Sequence, residues 1–130
     1  MPSITTVIYV ALGGALGSVL RYLLAAWTQS LSRSIDFPYG TLAVNLVGCF
    51  IIGFLSQLAE ARGAFTSESR VFIFVGILGG FTTFSSFGNE TMNLLRDGET
   101  VNALANVGAN VIVGLILVWL GRTVAYWVWR

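Results

Sequence analysis

Four apolar stretches, each long enough to cross a bilayer and separated by only a few polar residues, limit this chain more than any motif does. They run roughly over 4–28, 39–60, 70–95 and 101–128, and a membrane helix needs about 20 such residues. Together they use nearly all of the 130 residues, so no length remains for a soluble domain and residues 1–130 are expected to form one transmembrane domain. The separators hold turn and headgroup residues: Arg33, Asp36 and Pro38, then Glu60, Arg62, Gly63 and Glu68, then Arg96, Asp97, Gly98 and Glu99. Lipid-facing backbone must bond within its own segment, and no stretch alternates with the period of two that a barrel strand needs. The expected fold class is therefore an all-α membrane protein with four transmembrane helices. The first stretch opens without a basic leader and is expected to be retained as a span.

Composition agrees: 10% of the residues are charged, against about 25% in ordinary soluble domains. Lys is absent. Of the seven arginines, Arg62, Arg70, Arg122 and Arg130 fall towards one side of a four-span chain and Arg21, Arg33 and Arg96 towards the other. Orientation in a membrane follows an excess of such residues on the cytoplasmic side. A split this even leaves two readings open. Either the chain inserts both ways up and pairs as an antiparallel homodimer, or the residues nearest the membrane fix one orientation.

Glycines suggest where helices touch, because close packing in lipid needs small residues at the contact. Gly13 and Gly17 in the first span and Gly76 and Gly80 in the third have the spacing for it. Catalytic groups are scarce. There is no His, a single Cys at position 49, and no glycine pattern leading into a Lys that would cradle a phosphate. An enzyme is not expected, and neither is a nucleic-acid partner.

Polar groups inside the spans carry the functional signal, since they are expensive in hydrocarbon. They are Asn45, the run Thr82, Thr83, Ser85, Ser86 and Asn89, and Asn106 with Asn110. The last two are four apart and share a helical face. Each Asn can serve as glue between helices, or the set can form a polar track. Glu90 is the one acidic residue placed inside a span. The stretch GGFTTFSSFGNE (residues 79–90) concentrates the anomaly. Gly79 to Thr83 falls roughly 13–20 Å along the third span, near the bilayer midplane, and paired glycines followed by paired threonines favour a helix break there. Backbone freed at that depth must be buried in protein or bind something. Beyond the break, Phe84 and Phe87 are three apart on one face, and aromatic rings offer a positive edge as well as a negative face.

GGFTTFSSF followed by Glu90, with Arg21 in the first span and GTLAVNLVG in the second, resembles the Fluc fluoride channels, also called CrcB proteins. The resemblance spans essentially the whole chain. It implies a dual-topology antiparallel homodimer in the bacterial plasma (inner) membrane. Two parallel pores in that dimer would let fluoride leave the cytoplasm passively and so confer fluoride resistance. It also implies a structural sodium ion at the dimer centre, held by the backbone carbonyls of Gly79 and Thr82 from both chains. The family pattern assigns the pore to Asn45, Phe84 and Phe87, to the hydroxyls of Thr83, Ser85 and Ser86, and to Asn106 and Asn110. Relatives often carry Tyr and Ser at those last two positions, and Phe81 stands where Leu is frequent. Arg21 and Glu90 are expected in the vestibules. The implied partners are fluoride, the lipid bilayer and a second copy of the chain.

A small multidrug-resistance-type exporter, also four-span and dual-topology but proton-coupled, is the alternative. It requires a titratable carboxylate in the first span, where the only charged residue here is Arg21.

Overall fold

The computed structural model describes residues 1–130, which form helices joined by short turns and contain no strand. Helix α1 is Ile4–Ser32 and α2 is Tyr39–Arg62. Helix α3 covers residues 67–81 and is wound in wider π-helical turns over Val71–Leu78. Helix α4 is Phe84–Arg96. Helix α5, Thr100–Val128, has a similar π-helical stretch at Ala109–Val113. Four segments are long and apolar enough to cross a membrane: α1, α2, the combined Ser67–Arg96, and α5.

The helix ends follow from local chemistry. Ser3 caps α1 by accepting from Thr6 N–H at 3.2 Å, and Thr66 caps α3 by accepting from Ser69 N–H at 3.2 Å. Gly63 and Gly98 take positive φ at the turns after α2 and α4. Helix α1 continues through residues 29–32, past the expected end at 28. Gln29 explains the extension: its Nε2 donates to Ser34 O at 2.7 Å and Phe37 O at 3.1 Å, and its Oε1 accepts from Gly40 N–H at 3.0 Å. One side chain thus satisfies three backbone groups of the turn, and the hydroxyls of Ser32 and Ser34 accept from two more, Ser34 N–H and Phe37 N–H. Across the next connection, Arg70 donates to Ala59 O at 3.1 Å, close to the C-terminal end of α2.

Two glycine seams bring the helices together. A Cβ on Gly13 would lie 2.9 Å from Gly76 Cα, and one on Gly17 would strike the Ile77 carbonyl, so α1 lies directly on α3. This is the contact that the spacing of Gly13, Gly17, Gly76 and Gly80 suggests. The second seam joins α2 to α5, where Gly53 meets the Val118 carbonyl and Gly121 meets the Phe50 carbonyl. Only 19 of 130 residues are buried within the single chain. The outward apolar face, Leu12 and Ile116 among it, is what a helix bundle presents to lipid or to a partner.

Candidate functional site

Inside the third apolar segment the backbone leaves helical geometry at two residues. Thr82 has φ −81° and ψ 156°, and Thr83 has φ −149° and ψ 116°. Asn45, on α2, meets Thr83 with both ends of its carboxamide. Its Oδ1 accepts from Thr83 N–H at 2.9 Å and its Nδ2 donates to Thr83 O at 3.1 Å. The extended residue is paired as it would be with a neighbouring strand, so a polar interruption persists in an apolar segment.

The same bonds leave two carbonyls open. In a continuous helix Thr83 N–H would donate to Gly79 O, but it is taken by Asn45. Ser86 N–H, which would serve Thr82 O, goes to Thr83 Oγ1 at 3.3 Å and caps α4. The carbonyls of Gly79 and Thr82 therefore lack their helical donors. Hard oxygen donors of this kind suit a cation such as sodium. Groups of three or more His, Cys, Asp or Glu side chains that could hold a metal are absent.

Beside the interruption lies an open cavity of about 390 Å³. It gathers seven of the residues singled out in the sequence: Asn45, Gly79, Thr82, Thr83, Phe84, Phe87 and Asn110. Phe84 and Phe87 meet edge to face with centroids 5.4 Å apart, yet their settings differ. Phe87 is 7% exposed and Phe84 81%. Phe81, on the other side of the interruption, is buried.

The remaining predicted residues sit elsewhere. Ser85 is exposed, and Ser86 Oγ accepts from the Thr83 hydroxyl at 3.1 Å. Asn106 is 1% exposed and does not line the cavity. Asn110 donates to Asn106 O at 2.9 Å and Asn106 Oδ1 at 3.1 Å, while its own Oδ1 accepts from Asn45 at 3.0 Å. Glu90 Oε1 accepts from the Thr41 hydroxyl at 2.7 Å, and its Oε2 is buried without a partner. Arg21 is half-buried and belongs to neither of the two ion pairs, Arg96–Asp97 and Arg122–Glu60.

Two polar residues escape a reading by sequence. Thr41 gives no signal beyond its position at the start of the second span. Thr91 stands four after Phe87, so it shares a face with an aromatic already singled out, and that spacing is the available clue.

A family model described as "CrcB-like protein, Camphor Resistance (CrcB)" matches residues 8–122. The chain belongs to this family. A relative from Methylobacillus flagellatus, named "Fluoride-specific ion channel FluC", is 46% identical over 115 residues, covering 88% of this chain and 90% of the relative. One of the same name from Parabacteroides distasonis is 51% identical over 110 residues, covering 85% and 84%. A third, from Thermus thermophilus, is 51% identical over 112 residues, covering 86% and 87%. With four membrane-capable helices, this CrcB chain is a multi-pass membrane protein, which in a bacterium means the inner membrane.

Proposed function

We propose that the chain is a fluoride-selective passive channel that lets fluoride leave the cytoplasm and so confers fluoride resistance. The observation that carries this reading is the cavity beside Thr82 and Thr83, where neutral polar groups and two phenyl rings meet within an apolar span. Relatives named as fluoride-specific channels support it.

A small, strongly hydrated anion needs its water replaced along the whole path, by groups weak enough to release it again. The Thr83 hydroxyl donates to Ser86 Oγ, so the free hydroxyl hydrogens beside it are those of Ser85 and Ser86, and the ring edges of Phe84 and Phe87 offer a positive rim. Both amide hydrogens of Asn45 are engaged within the chain. Its part is to hold Thr83 extended at the edge of the path. No carboxylate lines the cavity to repel an anion. Arg21 and Glu90 belong to the vestibules in this reading.

The working unit is a dual-topology antiparallel homodimer, with the third helix of each copy broken near the bilayer midplane. Phe84, exposed in the single chain, completes its surroundings against the second copy. Near-even arginines favour insertion both ways up. At the shared centre the open carbonyls of Gly79 and Thr82 from both copies would hold a structural sodium ion, which would give their oxygens a partner at that depth. The proton-coupled alternative has nothing in its favour, since α1 contains no carboxylate.

Liposomes holding only this chain test the reading. Electrogenic fluoride efflux with chloride retained is expected, and chloride flux comparable to fluoride flux overturns it. Cysteine labelling of untagged protein in cells should find each terminus on both sides of the membrane. A single orientation for every copy contradicts the antiparallel dimer.

A further inference from the structure

At the end of the bundle where α2 and α5 both stop, a second cavity of about 210 Å³ opens between them. Gln57, Leu58 and Arg62 line it from α2, and Tyr126, Trp129 and Arg130 line it from the end of α5. It shares no residue with the cavity beside Thr82 and Thr83.

Charge sets this cavity apart. Of the seven arginines, Arg70, Arg96 and Arg122 have acceptors within the chain, and Arg21, Arg33, Arg62 and Arg130 have none. Two of the four without acceptors, Arg62 and Arg130, meet here. No carboxylate side chain lines the cavity, and Glu60, close by on α2, is paired with Arg122 and lines a different one. Arg130 places its guanidinium over the Trp127 ring, with Cζ 5.1 Å from the centroid. Stacking uses the face of the guanidinium and leaves the in-plane N–H groups, which fit the oxygens of a phosphate two at a time.

The rest of the lining indicates what carries the phosphate. Both helices are long and apolar enough to cross a membrane, and Tyr126 and Trp129 have the rings that settle at headgroup depth. Trp129 meets Phe54 edge to face at 5.6 Å. Phe54 and Leu58 are four apart on α2, so they extend one apolar wall from the arginines towards the bilayer core. A free inorganic anion gains nothing from that wall, whereas an acyl chain does.

We propose that this cavity binds an anionic phospholipid, with its headgroup phosphate on Arg62 and Arg130 and the start of an acyl chain along Leu58 and Phe54. Basic pockets between membrane helices take such headgroups. A zwitterionic headgroup is disfavoured, because it brings its own cation up to two arginines. The site is independent of whether the chain passes fluoride.

Native mass spectrometry of the purified chain, with phosphatidylglycerol or phosphatidylcholine added in turn to the detergent, tests this. One phosphatidylglycerol should be retained per chain, in preference to phosphatidylcholine. Arg62→Gln and Arg130→Gln should each weaken that retention about fivefold, the effect of one charge at a membrane surface. Arg33→Gln removes an arginine that also lacks an acceptor, at the opposite end of the bundle, and should retain the lipid like the parent. Melting without added lipid checks that each variant folds, and if one of the pair does not, the other carries the test. Equal retention of the two phospholipids, or a loss in Arg33→Gln as large as in Arg62→Gln and Arg130→Gln, overturns the proposal. So does a parent that retains no lipid because a second copy covers the cavity, or one that holds inorganic phosphate with no preference among lipids.

Discussion

Along the seams between α1 and α3 and between α2 and α5, backbone lies on backbone and glycine leaves no room for a side chain. Around Thr82 and Thr83 the chain does the opposite. There Gly79 has only the Phe74 carbonyl near it, at 3.8 Å, and its own carbonyl lacks a helical donor. The seams belong to helices whose backbone hydrogen bonds stay within the helix. The interruption depends on a side chain from another helix, Asn45, to satisfy it. Glycine thus serves closeness in one place and open polarity in the other. What separates the two is whether the backbone hydrogen bonds stay within the helix.

The largest effect should come from filling a seam. In Gly53→Ala the new methyl group meets the Val118 carbonyl, and in Gly17→Ala it meets the Ile77 carbonyl. Backbone cannot yield as a side chain does, so a loss of about 3 kcal/mol or more is expected, seen as a large fall in melting temperature in detergent. Gly108→Ala is the contrast, because nothing lies within 4 Å of its added carbon. It should gain about 0.5–1 kcal/mol from helix propensity. Equal melting of these variants would erase the distinction between seam and open position.

Asn45→Leu should come next, and it acts on the other region. It leaves Thr83 N–H and C=O without partners, at about 1–3 kcal/mol for each group, and fluoride efflux should collapse in the protein that still folds. Normal efflux would mean that the extended residue needs no clamp. The smallest effect belongs to the periphery of the second seam. Arg122→Gln breaks a partly exposed ion pair with Glu60, worth about 0–1 kcal/mol, so melting and efflux should both stay close to the parent.

Much of this comparison is legible in the sequence, for reasons that can be named. Span lengths follow from hydropathy, and the α1–α3 seam follows from Gly13, Gly17 and Gly76 at helical spacing. The α2–α5 seam does not stand out, because Gly53 and Gly121 are isolated glycines whose partners are ordinary backbone carbonyls. At the site, the run from Gly79 to Phe87 is conspicuous as polarity inside an apolar span. Its neighbours Asn45 and Asn110 stand out too, but not who bonds to whom. A carboxamide can act as ligand or as glue, and only the paired contacts with Thr83 distinguish Asn45 as a clamp. Asn106 resembles Asn110 in sequence, yet it is buried against Thr91 and away from the cavity. The depth of a residue on a helix face depends on the crossing of α4 and α5, which no local pattern encodes.

In the proposed channel, fluoride passes through the cavity beside Thr82 and Thr83 along the edges of Phe84 and Phe87. Fluoride efflux from liposomes, recorded for Phe84→Leu, Phe87→Leu and Phe81→Leu alongside the parent, tests it most directly. Leu keeps the apolar bulk, at about 1.5 kcal/mol or less in stability, but has no aromatic rim. Efflux should collapse in Phe84→Leu and Phe87→Leu while each still elutes at the parent's volume, and Phe81→Leu should conduct like the parent. Efflux at the parent rate in both Phe84→Leu and Phe87→Leu would contradict it.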